Sequence, residues 1–596
     1  MKKKILSMGI VVLMLVLTML SFEGISHQKL HVALANESKE KNIRVAFDQK
    51  VKEIIESEHV SGATAIIIKD GEAILQQGYG YSDKKLDQTV NKRTGFRIGS
   101  ISKTFVSIAA LIAKEDGKLD FNVDISEYLE KDFPKFKYPI TMNELLTHTA
   151  GFEDQITGIA VKNLKDMEPL SISLRKYRPN QIFKPGEVIS YSNYGVALAA
   201  YVIEKATGVD FAQYCTDRIF NPLNMKDTTF LYNNMNIDIS KAYSANGEEA
   251  FEPYINIYAE GSVISTAEDM GKYLRWLLGD DYTILSKDLK LELFQSHFSP
   301  SEDFKGIGYI WNIKSRNGDK YFEKKGETVN FYSRIVLFPS KNTGVFFSFN
   351  TYVPEEKINE VTKEITDILL GEKGKFGSIN GATIRMEGNY INTFSNFDTA
   401  EKILSYINPE KRIGITGSLE KGYKLNGEPM IHVGNNIYES NVGKIKLIQK
   451  DSHTFLVIDP SQTYIKINIC ESFKLNITVL LMFLLSIIIH GIWQITSLIK
   501  RKKIIKITRV CYIVILISFF SLCSILFFGL TNYRILQYSL LIQITSWIIL
   551  LTTLASVSDL LVISKDKLTT YNKLYLYVYN FINVLFCFLL SHMHFL

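Results

Sequence analysis

Apolar positions along the chain fall into three regimes. Near the N-terminus an apolar stretch, Ile5–Phe22, follows the basic triplet Lys2–Lys4 and precedes the small residues Ala33-Leu34-Ala35. That order predicts an export signal over residues 1–35, or an N-terminal anchor if the segment stays uncleaved. Four further apolar runs, near 475–498, 510–530, 537–562 and 573–594, each reach the ~20 helical residues that cross a bilayer. Between these extremes, residues 42–370 alternate strand-like and helix-like patterns and predict an α/β (α+β) domain. Its clearest strands are a hairpin over Ala65–Tyr79 turning at Asp70-Gly71, and a meander formed by Phe331–Phe338 and Val345–Asn350. Gly371, Gly374, Gly377 and Gly381 then mark a boundary. Residues 383–470 read as short strands, among them Ile431-His432-Val433 and Lys444–Ile448, and predict a small β-sandwich or barrel.

Charge refines this picture. The net charge of +6 on 596 residues comes from the membrane flanks. Residues 473–596 carry +9 and Lys2–Lys4 carry +3, which leaves −6 for the rest. The acidic body gives no reason to expect nucleic acid as a partner. Lys500–Lys503, Lys506 and Arg509 separate the first two apolar runs, and Lys565, Lys567 and Lys573 separate the last two. Both basic loops are therefore expected in the cytoplasm, with everything before residue 475 outside. The runs hold few ionisable residues, so they read as an anchor or partner-binding bundle in the lipid bilayer rather than a transport pathway. The five cysteines, 215, 470, 511, 523 and 587, suggest neither a disulfide framework nor a metal cluster, and Cys215 is expected in a core.

Candidate chemistry lies in three places. In Phe96–Phe105, Ser100 heads a run with apolar residues at Ile101, Phe105, Ile108 and Ile112, a helical spacing that Gly117 can end. Free N–H groups at a helix start favour developing negative charge at Ser100. Lys103 shares its face, and a desolvated lysine of lowered pKa can take a serine proton. Spacing alone is weak, because Ser-x-x-Lys also occurs at Ser26, Ser38, Ser82, Ser173, Ser418, Ser497 and Ser564. Ser100 differs in heading a strongly apolar helix. The second place is the turn Pro185–Gly195, from which Tyr191 and Asn193 can project into a cleft ahead of the helix Val196–Ile203. The third is Tyr321–Glu327, where Gly326 would let a ligand approach the strand backbone.

Taken in order, Ser100-Ile101-Ser102-Lys103, Tyr191-Ser192-Asn193 and Lys324-Lys325-Gly326 resemble the serine β-lactamase and penicillin-binding-protein superfamily. The Tyr-x-Asn element is most similar to the class C β-lactamase and D-aminopeptidase/esterase branch. Leu145–Phe152 and Gly261–Asp269 also match, so the resemblance spans about 45–365. It implies a β-lactamase-like fold and acyl-enzyme chemistry without a cofactor. In that scheme Ser100 is the nucleophile, while Lys103 and Tyr191 share acid–base work. Asn193 holds the substrate amide, Lys324 steers a substrate carboxylate, and the backbone N–H groups of Ser100 and Glu327 beside Gly326 form the oxyanion hole. His148 is read as structural. The third motif departs from the family in having Lys325 and Glu327, which leaves the substrate open. The resemblance further implies a membrane-tethered bacterial envelope hydrolase. Its substrate would be a peptide, amide or ester carrying an acyl or D-amino-acid group. The alternatives are a penicillin-recognising sensor that is acylated without turnover, and an inert envelope protein.

Overall fold

The computed structural model describes residues 40–232, 237–372, 374, 384–440, 442–458, 462–499, 506–563 and 570–596. The expected export signal, and Gly377 and Gly381 of the expected boundary, lie outside these residues.

Gly62–Lys69 reads GATAIIIK, and successive side chains of a strand point to opposite faces. Ala63, Ala65 and Ile67 enter one core while Ile66 and Ile68 enter another, so this strand lies in a sheet covered on both sides. Among the described residues that sheet has seven antiparallel strands. Their order is Asn312–Arg316, Asp319–Glu327, Tyr332–Phe338, Thr343–Phe349, Gly62–Lys69, Glu72–Asp83 and Gln88–Thr89. One face carries helix 40–57, whose Ile43, Phe47, Val51 and Ile54 form a helical stripe, together with Glu355–Leu370. The other face carries the larger helical layer, built on Ser102–Glu115, Asn193–Thr207 and Ala267–Leu278. Ser102–Ala113 is buried all round, and Cys215 lies in the same core.

The alternative left open for the next region resolves to a barrel. Eight strands, from Gly388–Asn392 to Gln462–Ile467, close when the first pairs with the last at Asn389 and Ile467. The connection after the first of these strands leaves the barrel and packs on the larger domain. There Glu153 accepts hydrogen bonds from the Phe397 and Asp398 amides, at 2.7 and 3.0 Å. Glu401 accepts from the Ile156 and Thr157 amides, at 2.7 and 2.8 Å. Buried carboxylates held by backbone donors fix this docking.

Four helices, Phe473–Ser497, Thr508–Thr531, Ile535–Ser558 and Asn572–His592, are long and apolar enough to cross a membrane. They meet the globular domains at three places. Arg412 stacks on Phe473, His592 meets the Tyr406 hydroxyl at 3.2 Å, and the loop between the second and third helices reaches the larger domain. The Tyr533 carbonyl of that loop accepts from the Gly158 amide at 3.1 Å, and the Leu536 amide, at the start of the third helix, donates to Thr157 Oγ1 at 3.0 Å.

Candidate active site

Ser100 sits on a single 3-10 turn, Gly99–Ile101, which leads into the buried helix Ser102–Glu115. Ile98 and Ile101 anchor the turn in the core. The turn lies directly on the strand Asp319–Glu327. A Cβ on Gly326 would stand 2.0 Å from the Ile98 carbonyl oxygen, and a Cβ on Gly99 would stand 2.6 Å from the Glu327 amide. The bare backbone of Gly326 admits the turn that carries Ser100, and so brings the Glu327 amide beside Ser100.

Lys103 lies one helical turn on and has no exposed surface. A buried ammonium needs partners, and this one has three. Its Nζ donates to Ser100 Oγ at 2.7 Å, to the Glu260 carbonyl at 2.6 Å and to Glu260 Oε2 at 2.5 Å. Burial works to lower the Lys103 pKa, but the Glu260 carboxylate and Tyr191 outweigh it and hold the pKa above its ordinary value. The sequence-based expectation of a lowered pKa is thus reversed. The cause is Glu260, which sequence reasoning missed. Its signal was a lone carboxylate among apolar residues, Tyr258-Ala259-Glu260-Gly261-Ser262-Val263, where an acidic side chain needs a buried partner.

Tyr191 precedes the helix Asn193–Thr207, whose first turn is capped by Ser192 Oγ accepting from the Gly195 amide at 2.9 Å. The Tyr191 hydroxyl donates to Ser100 Oγ at 2.8 Å. Burial, first, keeps the phenol above its ordinary pKa. His148 positions this segment. Its Nδ1 accepts from the Ser192 amide at 3.2 Å, and its ring lies 4.3 Å from that of Tyr191. Burial holds His148 well below its ordinary pKa, in keeping with the structural role expected of it. Phe394, from the barrel connection, packs edge-on against Tyr191 at 5.0 Å and supplies a wall that the sequence did not reveal. Asn193 borders a cavity with Asp154, Thr157, Gly158 and Tyr177. Its Oδ1 is buried without a hydrogen-bond partner among the described residues.

Strand alternation divides the third motif. Phe322 belongs to the core beneath the helical layer and Tyr321 to the opposite core. Lys324 and Gly326 therefore face Ser100, while Lys325 and Glu327 face away. Lys325 pairs with Glu355, which also receives both Arg334 Nη2 hydrogen bonds at 3.0 Å. Lys324 is 4% exposed, and its Nζ stands 5.0 Å over the Tyr191 ring. Burial and then Lys103 drive the Lys324 pKa well below its ordinary value. The two lysines thus lie on opposite faces of the sheet, and Glu327 contributes its backbone to the face of Ser100.

Three comparisons bear on this arrangement. The "Beta-lactamase" family model matches residues 47–369. Protein flp of Staphylococcus aureus (strain MW2) is 27% identical over 328 residues, 52% of this chain and 64% of flp, so the chain spans under two thirds of that relative. PbpX of Bacillus subtilis (strain 168) is 30% identical over 286 residues, 46% of this chain and 68% of PbpX. Among solved structures, SurE superposes with a TM-score of 0.53 at 17% identity, covering 72% of this chain and all of SurE, a likeness of fold.

Proposed function

We propose that the chain, which belongs to the beta-lactamase family, is a membrane-anchored extracytoplasmic serine hydrolase working through an acyl-enzyme on Ser100. One observation carries the reading: Ser100 Oγ receives hydrogen bonds from both Lys103 Nζ and the Tyr191 hydroxyl, at 2.7 and 2.8 Å. A hydroxyl flanked by two proton-transfer groups on a preorganised turn suits nucleophilic attack. The amides of Ser100 and Glu327 are the oxyanion donors in this scheme, each worth about 3 kcal/mol.

Substrate is a peptide, amide or ester, and the family resemblance directs the search to D-amino-acid compounds of the envelope or secreted metabolites. The strand supports an extended acyl chain. Asn312 is the last residue of its neighbour in register, opposite Glu323, which leaves the Lys324–Glu327 edge on that side unpaired by any described strand. Asn193 Oδ1 supplies an acceptor for a substrate N–H. In sequence the basic stretches fall between the first and second helices and between the third and fourth, so they follow or precede helix ends other than those that meet the larger domain. Their charge supports an external active site.

The test is hydrolysis of a panel of D-aminoacyl amides and esters by the full-length chain in detergent, beside Ser100→Ala. Turnover that disappears in the variant supports the reading; turnover that persists refutes it. The bundle loop hydrogen-bonded at Gly158 and Thr157, beside Asn193, favours a second reading, a sensor whose acylation acts on the helices. A fluorescent penicillin adduct that survives for hours without turnover would select it.

A further inference from the structure

The resting site places its protons where neither expected base can accept one. Lys103 has three N–H bonds, all given to acceptors, and one of those acceptors is Ser100 Oγ. Tyr191 also donates to Ser100 Oγ. The nucleophile is thus surrounded by donors, and its own proton must still leave during attack. The other groups facing this centre are Lys324 from the strand, His148 from the turn after Met142–Leu146, and Tyr232. Burial lowers the pKa of Lys324 and of His148 and raises that of Tyr232. His148 Nδ1 is already engaged by the Ser192 amide, and no hydrogen bond joins Lys324 to Ser100 among the described residues. What remains is the carboxylate of Glu260, 6% exposed, at 2.5 Å from Lys103 Nζ.

We infer that Glu260 is the terminal proton acceptor of the acylation step, reached through Lys103. As Oγ bonds to the carbonyl carbon, Lys103 passes one proton to Glu260 Oε2 and takes the Ser100 proton in its place. The lysine stays an ammonium, the carboxylate becomes a carboxylic acid, and the carbonyl π pair moves onto oxygen. When the tetrahedral intermediate collapses, Tyr191 gives its proton to the departing nitrogen or oxygen as that bond breaks. The proton on Glu260 then returns through Lys103 to Tyr191. No proton is gained or lost over the step, and no further reactant is needed. Glu260 acts through another residue, so it is a positioning and proton-holding group rather than one that touches substrate.

The inference rests on the hydrolase reading, and its test separates the two. Full-length wild type, S100A, E260Q and E260D are labelled with a fluorophosphonate, and the second-order rate is followed from pH 5 to 9. E260Q keeps an acceptor for Lys103 but cannot hold the proton, so its rate should fall on the order of 10²–10⁴-fold, the usual span of acid–base catalysis. E260D should recover part of that loss with an altered pH profile. If Lys103 were itself the base, removing the carboxylate would let it shed its proton, and E260Q would label as fast as wild type or faster. That result overturns the inference. Should E260Q fail to fold, an E260D profile identical to wild type overturns it equally. Absence of labelling in wild type itself would instead refute the hydrolase reading.

Discussion

Replacing Gly326 by alanine tests whether the nucleophile turn depends on contact with the strand. The new Cβ would lie 2.0 Å from the Ile98 carbonyl oxygen and 2.9 Å from Ile101 Cγ1. Real Cβ contacts stay beyond about 3 Å, so turn and strand must separate by roughly 1 Å, since backbone rather than a flexible side chain blocks the way. Overpacking of this kind costs about 1–3 kcal/mol of stability. The effect on chemistry is larger. Ser100 and the Glu327 amide lie on opposite sides of the contact, and a ~1 Å misplacement can cost on the order of 10²-fold in rate. Fluorophosphonate labelling of the full-length variant should slow by about that factor. Gly414→Ala serves as control, because its Cβ meets nothing nearer than 3.8 Å and the residue has an ordinary φ. A Gly326→Ala variant that labels at the wild-type rate would refute the interlocked turn and strand.

Other consequences follow from neighbouring contacts. Tyr191→Phe keeps the ring against His148 and Phe394 but removes the hydroxyl that donates to Ser100, so turnover of D-aminoacyl amides should fall on the order of 10²–10⁴-fold while the thermal midpoint holds. An unchanged rate would remove Tyr191 from the mechanism. Glu153, 1% exposed, is pushed up to about 7 from 4.5 by burial, against the backbone donors of Phe397 and Asp398. The folded protein therefore binds that proton more tightly than the unfolded chain between these values. Stability from this group is full at acid pH and is lost as pH rises through 4.5 to 7, by on the order of 3 kcal/mol. Glu153→Gln should flatten that slope in thermal unfolding, and an unaltered slope would contradict the assignment. Thr157→Val removes the acceptor for the Leu536 amide and a donor to buried Glu401, at a cost of about 1–3 kcal/mol. Faster hydrogen exchange at Leu536 would show it, and unchanged exchange would argue against the docking.

Much of the fold was legible because its patterns are long and periodic. The hairpin, the meander and the four membrane-length helices all follow from apolar spacing. The site was legible where it is local: Ser100 and Lys103 share one helical turn, and Tyr191 and Asn193 straddle a cap. It was illegible where partners come from distant segments. Glu260 is 157 residues from Lys103, and nothing in either stretch shows that they meet. Phe394 reaches Tyr191 only because the barrel connection docks on the larger domain. Lys324 and Lys325 looked alike in sequence, yet strand alternation sends one toward Ser100 and the other to Glu355. The missed quantity there was the face of the strand, which the flanking Tyr321 and Phe322, one in each core, reveal.

The central claim is that Ser100 is the nucleophile of an acyl-enzyme. Peptide mapping by mass spectrometry after fluorophosphonate treatment of the full-length chain tests it most directly. The account predicts a single adduct on the peptide containing Ser100 in wild type and none in Ser100→Ala. An adduct on another residue, or one undiminished in the variant, would contradict it.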